Sequence, residues 1–360
     1  MNHKENELRF HYKSIGDIGF ISANDICCIY KQLLDDKSKM IFADRLLFSM
    51  TNDWKYIKDM LLKTGIWNNI DKFLVQKADM PIYIYGAGIS GRRLPIIFPE
   101  YNWIGYIDRN KKGETCNGLP VYGIEKCSEL QGNALFIVSN IVGGKRIKEN
   151  LIGLGIPHES IITYEDYTEK IAENIYFEDC IDKQQLEGKV FVDAGAYDGK
   201  DTIHFFNWIN DINANAVIFE ADEKNFALVK NNLAKYPQVR FYNQGLSDEI
   251  GQQRFLSGRG EMSNFSKEGD KIIQMNFLDN AVADMQIGYI KMDIEGFEKQ
   301  GILGAKEIIS KQHPVLGISI YHKREDIWEI PKLILDINPE YRFFLRHYSL
   351  GVVDTVLYAV

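Results

Sequence analysis

The run Lys189-Val190-Phe191-Val192-Asp193-Ala194-Gly195-Ala196-Tyr197-Asp198-Gly199 decides how the chain is read. Its first half is β-branched and aromatic, the composition of a buried strand, and its second half supplies acids and glycines before a helical pattern that carries Thr202. A strand that becomes a helix through glycine lets the backbone approach a ligand and offers the helix N-terminus to it. The spacing is D-x-G-x-x-x-G and not the G-x-G-x-x-G of a dinucleotide loop.

Downstream, AVIFEA (Ala216–Ala221), VRFYNQG (Val239–Gly245), IGYIKMD (Ile287–Asp293) and VLGISIY (Val315–Tyr321) read as four more strands. RFFLRHYS (Arg342–Ser349) and DTVLYA (Asp354–Ala359), joined through Leu350-Gly351, read as a closing hairpin. Five βα steps followed by a closing hairpin predict an α/β fold with a seven-stranded sheet.

Upstream lies a second alternation. PIYIYGAGISG (Pro81–Gly91), WIGYID (Trp103–Asp108), ALFIVSN (Ala134–Asn140) and IIT (Ile161–Thr163) predict a small parallel Rossmann-like domain over residues 79–165. A polar helix over 166–188 links it to the larger domain, 189–360. Residues 1–78 read as a helical arm, with Ser22 or Asn24 as a cap and apolar stripes through Ile29 and Leu33, Phe42 and Leu46, and Ile57 and Met60. Such an arm could join two copies of the chain.

With 45% hydrophobic and 26% charged residues, the 360-residue chain has the balance of a globular protein. A net charge of −8 counts against broad binding to nucleic acid. Cys27, Cys28, Cys116, Cys127 and Cys180 form no C-x-x-C pair, so neither a disulfide framework nor a structural zinc site is expected. The start, MNHKENELRF, lacks the zones of a signal peptide, and no apolar run is long enough to span a bilayer. A cytoplasmic location is the resulting expectation.

Two glycine loops compete for ligands. In the small domain Gly86, Gly88 and Gly91 match G-x-G-x-x-G after a strand, and Asp108 closes the next strand where a ribose hydroxyl would lie. Pro95 shortens the helix that follows, and a tight turn without a ligand explains the glycines equally well. The passage YIDRNKKGETCNGLPVYGIEKC (Tyr106–Cys127) resembles the nucleotide-sugar-type domain of sugar acyltransferases and polysaccharide-biosynthesis enzymes, which implies a nucleotide or nucleotide sugar. Tyr122 and Lys126 have the spacing of a short-chain oxidoreductase pair but sit too near the second strand to face a nicotinamide.

In the larger domain the second strand ends in Glu220-Ala221, and the third is followed by Gly245-Leu246-Ser247-Asp248. S-adenosylmethionine has an amino-acid tail, a ribose and a sulfonium but no pyrophosphate. It needs a glycine turn, an acid for two ribose hydroxyls and an acceptor for the adenine amine. Asp193, Ala194, Gly195, Asp198, Thr202, Glu220, Ala221, Ser247 and Asp248 are the candidates. A single acid closing a strand is often only a helix cap, but here one recurs at successive strand ends.

Asp193–Gly199, Phe219–Asp222, Gly245–Asp248, Tyr289-Ile290-Lys291-Met292-Asp293-Ile294-Glu295-Gly296, Leu303-Gly304-Ala305, Pro314–Tyr321 and Asp354–Ala359 follow in order the pattern of the FkbM-type S-adenosylmethionine-dependent methyltransferases. Ala194 and Tyr197-Asp198 stand where that family more often has Val and Asn-x. The resemblance implies a class I methyltransferase fold over about residues 186–360 and O-methylation, often of a sugar hydroxyl.

Methyl transfer requires an acceptor oxygen held in line with the methyl group and a group to take its proton. Asp293 and Glu295, on one face at the end of the fourth strand, and His322, leaving the fifth, are the catalytic candidates. Lys291, Arg346 and His347 are candidates for binding the substrate, although a salt bridge also explains Lys291 and a helix cap Glu295. A divalent metal is possible at Asp293 and Glu295 but not favoured, because no further acidic pair follows the fifth strand. The rival functions are a nicotinamide-dependent oxidoreductase or epimerase at Gly86–Gly91 and a non-catalytic nucleotide-sugar-binding module.

Overall fold

A computed structural model describes residues 21–77, 79–130, 133–256, 264–265, 269 and 271–360. The segment MNHKENELRF, read above for a leader, lies outside the described residues. The chain forms two compact units. Residues 43–173 and 348–353 belong to one, and the described residues up to Phe42, with 174–347 and 354–360, belong to the other. The helices expected as a separate arm are therefore shared between the two units.

The first unit holds β1 (Ile82–Tyr85), β2 (Trp103–Ile107), β3 (Thr115–Cys116), β4 (Leu119–Tyr122), β5 (Leu135–Val138) and β6 (Ile161–Thr163), in the sheet order β3-β4-β2-β1-β5-β6. All neighbours are parallel except the short β3–β4 pair. Tyr83, Ile107, Phe136, Val138 and Leu151 form its core. Parallel strands covered on both faces read as continuous apolar runs, which is why this domain is visible in the sequence.

The second unit is built on β7 (Val190–Ala194), β8 (Ala216–Phe219), β9 (Val239–Tyr242), β14 (Ile287–Met292), β15 (Val315–Ser319), β16 (Phe343–His347) and β17 (Thr355–Ala359), in the order β16-β17-β15-β14-β7-β8-β9. The strands run parallel except β17, which is antiparallel to both neighbours, so the expected seven-stranded sheet and closing hairpin are present. Phe191 stacks on Phe205 with ring centroids 4.2 Å apart, which fixes helix Lys200–Ile209 on the sheet.

Four further strands were not expected. β10 (Gly245–Leu246), β11 (Gly251–Leu256), β12 (Asn264–Phe265) and β13 (Lys271–Asn276) make a small sheet in the order β10-β13-β11-β12 between β9 and β14. Ile273 and Met275 of β13 pack with Ala221 and Phe297, which follow β8 and β14. Among the described residues no helix is long and apolar enough to cross a membrane. Ile29, Leu33, Ile57 and Met60 of the N-terminal stripes are buried within the chain itself.

Register places the site. Lys291 is opposite Asp193 and Met292 opposite Ala194, while Ala194 is opposite Phe219. The chain therefore leaves β7, β8 and β14 at one level, and Gly195, Glu220 and Asp293 become neighbours. Gly195 has φ +77°, and a Cβ there would sit 1.8 Å from the carbonyl oxygen of Asp293. Gly195→Ala is expected to cost more than about 2 kcal/mol in urea unfolding, from backbone strain and the clash together. A wild-type midpoint would mean that the two turns do not touch.

Candidate active site

The residues at the ends of β7, β8, β14 and β15 fall into two sets, one occupied in holding the scaffold and one facing the crevice.

Lys291 belongs to the scaffold. Its side chain is buried, with Nζ 3.0 Å from Asp193 Oδ1, 3.1 Å from Asp201 Oδ2 and donating to the Gly195 carbonyl at 2.9 Å. Burial disfavours its charge, but Asp193 and Asp201 outweigh that and raise its pKa. The other oxygen of Asp193 accepts from Thr202 Oγ1 at 2.7 Å. Asp193, Thr202 and Lys291, expected to touch the cofactor or substrate, instead satisfy one another. Asp198 accepts from the Lys200 amide at 3.1 Å, just before helix Lys200–Ile209, whose N-cap is Gly199.

Glu220 is different. Its Oε2 accepts from the Tyr197 amide at 2.9 Å and its Oε1 from the Asp222 amide at 2.8 Å. Each carboxylate oxygen keeps a further lone pair for a ligand hydroxyl. Burial pushes its pKa up to about 7, against the two backbone donors and Lys291, with Asp222 adding repulsion. The helix cap at this strand end is Asp222, which accepts from the Lys224 and Asn225 amides. Asn243, not singled out in the sequence, donates to the carbonyls of Glu220 and Ala221. Ser247 is buried and its hydroxyl donates to the exposed Asp248 at 3.3 Å.

Asp293 and Glu295 occupy the rim, with side chains 24% and 34% exposed. Asp293 Oδ2 accepts from Tyr176 Oη at 2.8 Å, and Tyr321 Oη lies 3.4 Å from both Asp293 oxygens. Tyr176 also bonds Ser319 Oγ at 2.9 Å. Burial first, and then Asp293, raise both phenols well above their usual range, so they remain donors that hold the carboxylate.

His322 does not have the environment of a general base. Its Nε2 is 3.5 Å from Asp293 Oδ1 and 3.5 Å from Glu295 Oε2, and its Nδ1 is 3.1 Å from Glu298 Oε1. Burial opposes its positive charge, but these carboxylates prevail and push the imidazole up to about 10. Glu298, also missed in the sequence, is fully buried and accepts from the Ile294 amide at 2.8 Å. The surrounding carboxylates hold a proton on the ring, so it is not poised to take one from an acceptor.

The remaining candidates lie elsewhere. Arg346 and His347 close β16 at the sheet edge, beyond β17 and β15. Arg346 donates to Asp35 at 2.7 Å and to Ser38 at 3.0 Å, and His347 Nδ1 bonds Thr355 Oγ1 at 2.9 Å. These contacts tie the sheet to its own unit. In the first unit, Asp108 accepts from the Ala87 and Asn110 amides at 2.9 Å each, so its carboxylate closes the Gly86–Gly91 turn. A Cβ on Gly91 would meet the Gly86 carbonyl at 2.1 Å, whereas Gly88 faces open space.

Two measurements test this division. Lys291→Met leaves the buried Asp193 and the partly exposed Asp201 without their cation, and a loss of about 3–5 kcal/mol is expected by denaturant titration. The folded-state pKa of Glu220 lies above its ordinary 4.5, so its contribution to stability is full below about 4.5 and is lost as pH rises through about 7. Across that window the Tm of wild type should fall relative to Glu220→Gln. A constant Tm difference would mean the carboxylate is not held in a desolvated setting.

Residues 193–348 match the family model described as the methyltransferase FkbM domain. No curated protein matches the chain. Among solved structures, the chain is similar to a methyltransferase FkbM of Methylobacillus flagellatus KT, at 20% identity over 89% of this chain and 99% of that one, with a TM-score of 0.47. A precorrin-6y C5,15-methyltransferase of Geobacter metallireducens GS-15 matches at 11% identity over 55% and 88% of the two chains, TM-score 0.33. Fibrillarin of Aeropyrum pernix, in complex with natively bound S-adenosyl-L-methionine, matches at 8% over 48% and 67%, TM-score 0.33. Residues 193–348 thus carry the likeness to an FkbM methyltransferase domain, and the chain is an S-adenosylmethionine-dependent methyltransferase.

Proposed function

We propose that the enzyme transfers a methyl group to a hydroxyl oxygen of a carbohydrate. One observation carries the reading. The backbone of Asp293 abuts Gly195, so a partly exposed carboxylate stands directly beside the glycine turn that follows β7.

The residues at that turn suit the cofactor. Glu220 retains lone pairs for two ribose hydroxyls, and the positive φ of Gly195, Tyr197 and Gly199 curls the backbone around the place a nucleoside would enter. The cofactor supplies the electrophilic methyl: the carbon–sulfur bond breaks as a carbon–oxygen bond forms. Asp293 accepts the hydrogen bond of the acceptor hydroxyl and receives its proton, while Tyr176 and Tyr321 fix the carboxylate. Glu295, the more exposed rim carboxylate, accepts from a second hydroxyl of the same sugar. A polyol suits a rim of acceptors, because its hydroxyls are donors. The sugar class also follows from the sequence resemblance and from the nucleotide-sugar-like passage Tyr106–Cys127.

Asp293→Asn keeps the shape of the side chain and removes the base. S-adenosylhomocysteine release over a panel of nucleotide sugars and free glycosides is expected to fall about 10²–10⁴-fold. Calorimetric affinity for S-adenosylhomocysteine should stay near wild type. Equal losses in turnover and affinity would move Asp293 into the cofactor site and remove it as the base.

A further inference from the structure

Asp293 after β14, Glu298 in the first turn of helix Glu298–Leu303, and His322 after β15 bring three ligand-type atoms within 4.8 Å of one another. Two of these residues, Glu298 and His322, are almost wholly enclosed, and one of them carries a polar atom without a hydrogen bond. Glu298 is 0% exposed and its Oε2 accepts no hydrogen bond. His322, its side chain 9% exposed, places Nδ1 3.1 Å from Glu298 Oε1. Buried polar atoms are nearly always satisfied, and each one left unpaired costs about 1–3 kcal/mol.

The spacing and the charge indicate what is missing. One donor atom from each of the three lies within 4.8 Å of the other two, and Asp293 Oδ1 stands 3.5 Å from His322 Nε2, near the roughly 3–3.5 Å that separates ligands bound to one cation at about 2.0–2.2 Å. Asp293, Glu295 and Glu298 together surround a single imidazole, so the cluster is rich in negative charge. One nitrogen and several carboxylate oxygens without a thiolate make a donor set for Mn²⁺ or Zn²⁺.

We propose that Asp293, Glu298 and His322 form a binding site for a divalent transition-metal cation at the acceptor rim. Glu298 and His322 are its buried anchors, and Asp293, the most exposed of the three, closes on the ion. In the methyl-transfer reading, on which this role rests, the cation binds the acceptor oxygen and weakens its O–H bond, so the proton leaves more readily to the adjoining carboxylate.

The full chain, stripped with a chelator and dialysed, is titrated calorimetrically with MnCl₂ and ZnCl₂, and separately with S-adenosylhomocysteine. One ion per chain is expected. Glu298→Gln and His322→Gln should weaken its binding roughly 10–100-fold. Circular dichroism melts confirm that each variant folds, and Asp293→Asn on the rim provides the same comparison if a buried substitution unfolds the chain. No binding of either ion at millimolar concentration, or unchanged affinity in the folded variants, overturns the site. Ion binding without S-adenosylhomocysteine binding would leave the cation site standing and remove the methyl-transfer reading.

Discussion

The buried ammonium of Lys291 holds this active-site region in place. It sits in the central strand β14 and reaches across to an acid on β7, an acid on the following helix and the carbonyl of the glycine turn between them. One cation thus joins three consecutive pieces of chain to the neighbouring strand. Because these groups are desolvated, the pairing cannot be exchanged cheaply for water. The turn is held where Gly195 meets the backbone of Asp293, and the distance between the glycine turn and the Asp293 carboxylate is set by packing.

That arrangement explains what could and could not be read from the sequence. Apolar runs ending in glycine or acid marked nearly every strand of the large sheet, since parallel strands buried on both faces leave an unbroken signature. The residues at the strand ends were therefore found, but not their partners. Lys291 and Asp193 are 98 positions apart and meet only through the register of β14 on β7. No spacing reveals whether a strand-end charge is satisfied by another side chain or waits for a ligand.

Chain order misled in a similar way at the C-terminus. Arg346 and His347 close a strand just as Asp293 does, but β16 lies at the edge while β14 lies beside β7. The small sheet of β10 to β13 escaped notice because its two longer strands, Gly251–Leu256 and Lys271–Asn276, mix polar with apolar residues, although buried Ile273 and Met275 flanking exposed Gln274 were a usable signal. Tyr176, whose phenol holds Asp293, had no signal at all. It precedes the first strand of the sheet and reaches the rim through a backbone with φ +67°.

The proposed chemistry places a limit on the charge of that rim. During methyl transfer the positive charge on sulfur disappears, so carboxylates close to the sulfonium stabilise the reactants more than the transition state and slow the reaction. A proton acceptor must nevertheless be present for the hydroxyl. The structure meets both demands by binding its carboxylates to other groups: two phenols donate to Asp293, while Asp293, Glu295 and Glu298 surround His322. A divalent cation at that ring would go further, since it neutralises the cluster while acting on the acceptor oxygen, where negative charge develops. A positive centre beside Asp293 then favours the oxygen nucleophile without competing for the sulfonium.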